Sequence, residues 1–174
     1  MLPLLTERLR LRALRESDID ELFRLYSDPS VASYVGRHSH ADVEQELRFD
    51  IDHQAEHGWA MWALEERAGG AFVGACGLRP LEMRGPEVEL GYDLYPRFWG
   101  RGLAGEAAAA TVALALGELQ IERVIGVVKP AHLASRRVLE KAGLHYAEIR
   151  HAYGERLLLY ETRALKGGGQ SAEA

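Results

Sequence analysis

Apolar and polar residues alternate strictly near the start of the chain. Leu9, Leu11 and Ala13 are interleaved with Arg8, Arg10 and Arg12 in "RLRLRAL", the pattern of a half-buried strand. The period then changes. Ile19, Leu22, Phe23 and Tyr26 recur at helical spacing behind Ser17, a good N-cap, which predicts a helix to about Ser27, stopped by Asp28-Pro29. Val43, Leu47 and Ile51, four apart, predict a second helix from about Ala41 to His57, closed by Gly58. Three strand-like runs follow at Trp59 to Glu66, Ala71 to Leu78 and Glu87 to Tyr95, with turns at Gly69-Gly70 and Arg84 to Pro86. A third helix is predicted over about Gly102 to Gly117, then a strand over Arg123 to Lys129. A fourth helix covers about His132 to Ala142 and ends at Gly143, and two strands close the chain at about Leu144 to His151 and Glu155 to Thr162. Two helices, an antiparallel meander and then strand–helix–strand–helix–strand describe a mixed α/β domain. No linker divides it, so residues 1–166 read as one domain and residues 167–174, glycine-rich and polar, as a flexible tail.

Composition narrows the classes. A chain of 174 residues, 47% hydrophobic and 27% charged, is long enough to bury a sizeable core. A net charge of −5 argues against nucleic-acid partners, which want a basic face. The longest apolar run, Ala107 to Leu116 between Glu106 and Glu118, is about half of what a bilayer span needs. The opening "MLPLLTERLRLR" becomes charged too soon for a secretory signal, so a cytoplasmic protein with no membrane partner is expected. The single cysteine, Cys76, lies in an apolar run and reads as core; alone, it excludes an internal disulfide.

Candidate chemistry concentrates in "FWGRGLAGEA", Phe98 to Ala107, where Gly100, Gly102 and Gly105 lead directly into the alanine-rich helix. Side-chain-free glycines and the unpaired N–H groups of a helix start make an anion site, and Arg97 and Arg101 flank it. Read literally, the spacing is the dinucleotide fingerprint G-x-G-x-x-G. The context differs: "PRFW" separates the glycines from the preceding strand, that strand alternates, and no acidic residue closes the next strand, which ends at Lys129-Pro130. A pyrophosphate-bearing ligand other than a nicotinamide or flavin is the better reading.

The stretch "VELGYDLYPRFWGRGLAGEA", Val88 to Ala107, resembles the core motif of the GNAT superfamily of N-acetyltransferases, in particular the RimJ/RimL-like branch that acetylates the N-termini of ribosomal proteins. Gly102 and Ala104 fall on the last two fixed positions of the loop motif, and Trp99 stands where Gln or Arg is usual. Downstream, "HLASRRVLEKAGL", His132 to Leu144, is similar to a second family motif, with His132 in place of an asparagine; "TERLRLRAL" and "SDPSVASYV" resemble the branch's opening strand and helix boundary. The resemblance implies a mostly antiparallel, twisted sheet splayed into a V, with about four helices on its faces. It also implies acetyl-coenzyme A as cosubstrate and no metal. The main chain of Asp93, Leu94 and Tyr95, with a bulge there, would pair with the pantetheine arm. Arg97, Trp99, Gly100, Arg101, Gly102, Leu103, Ala104 and Gly105 would surround the pyrophosphate, and His132 and Ser135 would also touch the cosubstrate.

Acetyl transfer to an amine needs a neutral nucleophile and a proton for the departing thiolate. Glu89 is the candidate proton acceptor: Glu87, Glu89, Gly91 and Asp93 share one strand face, and small Gly91 leaves room beside it. The alternative is a solvated or merely site-ordering glutamate. Ser135, in the first turn of its helix, is the candidate donor, with capping or packing as the competing role. An α-amine costs roughly 1 kcal/mol to deprotonate at pH 7, a lysine-type amine roughly 4 to 5. One candidate base therefore suits an α-amine better. Acceptors of another kind, an antibiotic, polyamine or lysine, and a coenzyme A-binding sensor without turnover, remain the alternatives. Tyr34 and Trp59 are expected to line the acceptor pocket, and the family admits a homodimer. "HQAEH", His53 to His57, fits a zinc-peptidase motif, but the helix ends at Gly58 with no third ligand in view.

Overall fold

The computed structural model describes residues 2–164, so the expected tail lies outside the described residues. Eight strands form one sheet: β1 (Leu4–Leu5), β2 (Leu9–Ala13), β3 (Met61–Glu66), β4 (Phe72–Pro80), β5 (Val88–Leu94), β6 (Arg123–Val128), β7 (His145–Ala152) and β8 (Glu155–Arg163). Their order is β1-β2-β3-β4-β5-β6-β8-β7, and every neighbouring pair is antiparallel except β5 with β6. Five α-helices accompany the described strands: α1 (Ile19–Ser27), α2 (Pro29–Val35), α3 (His40–His57), α4 (Leu103–Leu116) and α5 (Leu133–Lys141).

The expected four helices become five because Asp28-Pro29 does two jobs. It ends α1, and then Asp28 caps α2 by accepting the Ser30 N–H at 2.8 Å, with Pro29 at the first helical position. Proline lacks only a donor that a helix start leaves unpaired anyway, so it can begin a helix as readily as it stops one. The short β1 was not expected either; two residues against Leu11 and Arg10 leave no periodic signal.

Alternation along β4 and β5 sorts the helices into two layers. Arg79, Gly91 and Asp93 face the layer of α1 and α3, where Tyr26 meets Asp93 and a Cβ on Gly91 would lie 3.2 Å from the Met61 sulfur. Cys76 and Tyr92 face α4 and α5, through contacts with Thr111 and Ser135. The core is continuous, with Trp62, Leu64, Leu78, Leu103, Leu139 and Leu144 all under 2% exposed. Cys76 is fully buried in it, and burial pushes its thiol up to about 12, which leaves an inert core residue as expected.

Candidate active site

Strands β5 and β6 pair only at Val88 with Val124 and Glu89 with Ile125. Beyond those pairs β5 continues to Leu94 and β6 to Val128 without meeting, so the sheet opens into a V. The Tyr95 N–H donates to the Val73 carbonyl at 3.0 Å, in unbroken register with the rest of β4–β5. Odd-numbered residues of β5 therefore turn their main-chain groups toward β4, and Leu90, Tyr92 and Leu94 turn theirs toward the gap. This corrects the expectation for Asp93, paired with β4, and for Tyr95, whose N–H goes to Val73 and whose carbonyl accepts the Phe98 N–H at 2.9 Å; of the three, Leu94 alone presents its backbone to the opening. The expected bulge is not on the β4–β5 ladder: the register shift lies between Leu64 and Glu65, where β3 meets β4.

The glycine-rich loop ends at the mouth of α4. Gly100 and Gly102 have φ of +73° and +77°, left-handed values that a side chain would strain. The Glu106 N–H makes the first intrahelical bond, to the Gly102 carbonyl at 3.1 Å, so the N–H groups of Leu103, Ala104 and Gly105 point out of the helix start. Arg8 reaches this mouth from β2's leading edge, donating to the Arg101 carbonyl (2.8 Å) and pairing with Glu106 (2.7 Å). Lys141 lays its stem beside Gly105, 3.7 Å from where a Cβ would stand. Arg97 and Arg101 are engaged elsewhere: both guanidiniums lie over the Phe98 ring, at 4.9 and 5.3 Å, and Arg101 pairs with Glu66 at 2.7 Å. The Arg8 guanidinium, paired with Glu106, and the stem of Lys141 thus lie beside the helix mouth. Free amides and bare glycines at a helix start fit a diphosphate.

On the α4–α5 face, His132 caps α5, its ring Nδ1 accepting the Ser135 N–H at 3.5 Å, a long contact. Burial lowers the pKa of His132, which keeps the ring neutral and able to accept. Tyr92 donates its phenolic proton to the Ser135 carbonyl at 3.0 Å and lies 2.8 Å from Ser135 Oγ. In the second contact either hydroxyl can donate, so the phenol can also hand its proton to Ser135 Oγ. Burial raises Tyr92 well above the ordinary phenol range, so it stays protonated at neutral pH. Tyr92 was legible in the sequence only as a residue on the opposite strand face from Glu89.

On the α1–α3 face, burial pushes the Glu89 carboxyl up to about 7, against the lowering effect of a 2.5 Å hydrogen bond from the Tyr153 hydroxyl. Asp93, further along the same face, is also raised by burial and accepts from Tyr26 at 3.2 Å. Arg79 is clamped below by Asp50 (2.5 Å) and Glu46 (2.8 Å). Tyr34 and Trp59 do not come together. Tyr34 stacks on His132 with centroids 4.0 Å apart and meets the edge of Trp99 at 6.2 Å, so it bridges the segments that follow β5 and β6. Trp59 instead packs on His53, which bonds the Trp59 carbonyl at 2.7 Å. His53 and His57 have centroids 4.3 Å apart, yet no cluster of three His, Cys, Asp or Glu suited to a metal occurs among the described residues.

Known proteins share this fold. The profile of the acetyltransferase (GNAT) domain matches residues 8–145. The uncharacterized protein YkkB of Bacillus subtilis is 31% identical over 92% of this chain and 95% of its own. The uncharacterized N-acetyltransferase YoaA of the same organism is 28% identical over 88% and 89%. An acetyltransferase structure from Agrobacterium tumefaciens superposes with a TM-score of 0.83 at 26% identity, covering 94% of this chain and 95% of that one. RimL, a ribosomal L7/L12 α-N-protein acetyltransferase solved with coenzyme A, shares the fold at 16% identity, TM-score 0.77, over 93% and 97% of the chains. No helix among the described residues is long and apolar enough to cross a membrane. GNAT enzymes draw their acetyl group from acetyl-coenzyme A, and the chain belongs to the GNAT acetyltransferase family.

Proposed function

We propose that the protein acetylates the α-amine of a peptide or protein by direct attack in a ternary complex, with Glu89 as proton acceptor and the Tyr92–Ser135 pair as proton donor. The observation that carries this reading is the placement of the two groups on opposite faces of one strand, beside the point where β5 and β6 part. Acetyl-coenzyme A supplies an activated acyl carbon as its thioester. From the α1–α3 face, Glu89 takes the proton of the acceptor ammonium. From the α4–α5 face, Ser135 passes a proton to the leaving sulfur as the C–S bond breaks and is resupplied by Tyr92, and the second proton that the nitrogen sheds on collapse returns through solvent to Tyr92. Leu94, with its main chain turned to the gap, and the amides at the start of α4 hold the pantetheine and diphosphate ends.

The acidity of Glu89 favours the acceptor class. A base near 7 takes a proton from an α-amine of pKa near 8 for about 1.4 kcal/mol, and from a lysine-type amine for between about 4 and 5 kcal/mol. RimL shares the fold, and so does the aminoglycoside acetyltransferase AAC(6')-Ib at the same 16% identity. The carboxylates of Glu82, Glu89 and Asp93 would also suit a polycationic amine, which makes polyamines and aminoglycosides the competing acceptors. Release of the coenzyme A thiol, measured over N-terminal peptides, lysine, spermidine and an aminoglycoside, decides between them. Peptide α-amines should give the highest kcat/KM. A tenfold advantage for any of the others overturns the acceptor assignment, and coenzyme A binding without thiol release from any amine overturns the enzyme reading.

A further inference from the structure

Two loops distant in sequence meet over Glu89, and both are held in unusual backbone conformations. In the turn between β7 and β8, Tyr153 has φ of +52°; in the segment between β4 and β5, Glu82 and Met83 have φ of +53° and +60°. These are three of the four non-glycine residues with positive φ among the described residues. A bulky side chain in that region is disfavoured, and such residues persist only where surrounding contacts over-determine them. The contacts here are reciprocal. The Tyr153 N–H donates to Glu82 Oε1 at 2.6 Å, and the Glu82 N–H donates to the Tyr153 hydroxyl oxygen at 3.2 Å. The same hydroxyl donates its proton to Glu89 Oε2 at 2.5 Å.

We propose that Tyr153 is a positioning residue for Glu89: the Glu82–Tyr153 clasp fixes the β7–β8 turn over the acceptor side, and the phenol pins one carboxylate oxygen so that the other faces the amine. The proposal rests on Glu89 as the proton acceptor. The geometry is directional in a way that simple packing is not. The phenol is both a donor, to Glu89, and an acceptor, from Glu82, so its single proton has one place to go. Asparagine or glycine would satisfy the turn with less strain than the tyrosine that stands there, half of whose surface is exposed. The charged groups around Glu89 are Arg79 on β4, which favours its ionised form, and Asp93 on β5 and Glu82, which oppose it. The Tyr153 hydrogen bond favours ionisation too, so its removal moves the Glu89 titration upward.

The test compares pH profiles of kcat/KM for the acceptor in the wild type, Tyr153→Phe, Tyr153→Asn and Glu89→Gln, with coenzyme A affinity followed by calorimetry. Phenylalanine keeps the ring and its shielding and loses only the hydroxyl. The acid limb of Tyr153→Phe should move up by about one pH unit, and kcat at neutral pH should fall about tenfold, with coenzyme A binding unchanged. Tyr153→Asn, which suits a left-handed turn, should melt no lower than the wild type and still lose turnover, a result that a purely structural tyrosine does not produce. An acid limb in Tyr153→Phe at its wild-type position, with kcat within twofold of the wild type, overturns the positioning role while leaving the base intact. An acid limb that survives Glu89→Gln removes the base assignment, and the positioning role with it.

Discussion

The indole N–H of Trp99 donates to the main-chain carbonyl of Leu94 at 2.7 Å, on the β5 side of the gap between β5 and β6. That carbonyl is one of the groups that an inserted pantetheine would pair with as an extra strand. Coenzyme A binding should therefore change the surroundings of Trp99, whose side chain is otherwise half-exposed. Titration with coenzyme A should alter intrinsic fluorescence in the wild type and leave it nearly flat in Trp99→Phe. Trp62 is buried and bonded to Gln54, and Trp59 sits with His53, so neither should report the event. Affinity in the variant should stay within about tenfold, the worth of one hydrogen bond.

Glu89 links activity to stability with opposite signs. Its folded pKa, about 7, lies above the value of 4.5 for a free glutamate. The fold therefore favours the protonated form. The stabilisation from Glu89 is complete below pH 4.5 and is lost as pH rises through about 7. Glu89→Gln mimics the protonated group and can still accept from Tyr153. The variant should match the wild type in stability near pH 5 and exceed it at pH 8, by at most about 3 kcal/mol, while losing most turnover. Paired melts at the two pH values check the sign.

Arg79 and Asp50 stand or fall together. Asp50 is 1% exposed, and burial raises its carboxyl against the pull of the Arg79 guanidinium. Arg79→Met should cost about 3 to 5 kcal/mol by leaving that carboxylate buried without its counter-ion. Adding Asp50→Asn to Arg79→Met should recover more than half of the loss. Chemical denaturation of the single and double variants measures the coupling directly.

Local pattern carried seven of the eight described strands and four of the helices to within about two residues, because alternation and helical spacing follow from which face is buried. The second helix was hidden by a proline that reads as a stop. The anion site was legible because glycines and a helix start are neighbours in sequence. The arginine beside it was not: Arg8 lies 93 positions from the carbonyl it holds, at Arg101. Tyr92 meets Ser135 across 43 positions, and Tyr153 meets Glu89 across 64. Periodicity says which way a side chain points, and only the folded chain says whom it meets.

A sheet ordinarily has two unsatisfied rims, here along β1 and β7. The two-pair seam between β5 and β6 adds another two in the interior of the same sheet, facing each other across the opening. Such inner rims invite association with stray strands unless something narrow and polar lies between them. Loading with cosubstrate would then do more than deliver an acyl group: it would close the sheet across its inner rims.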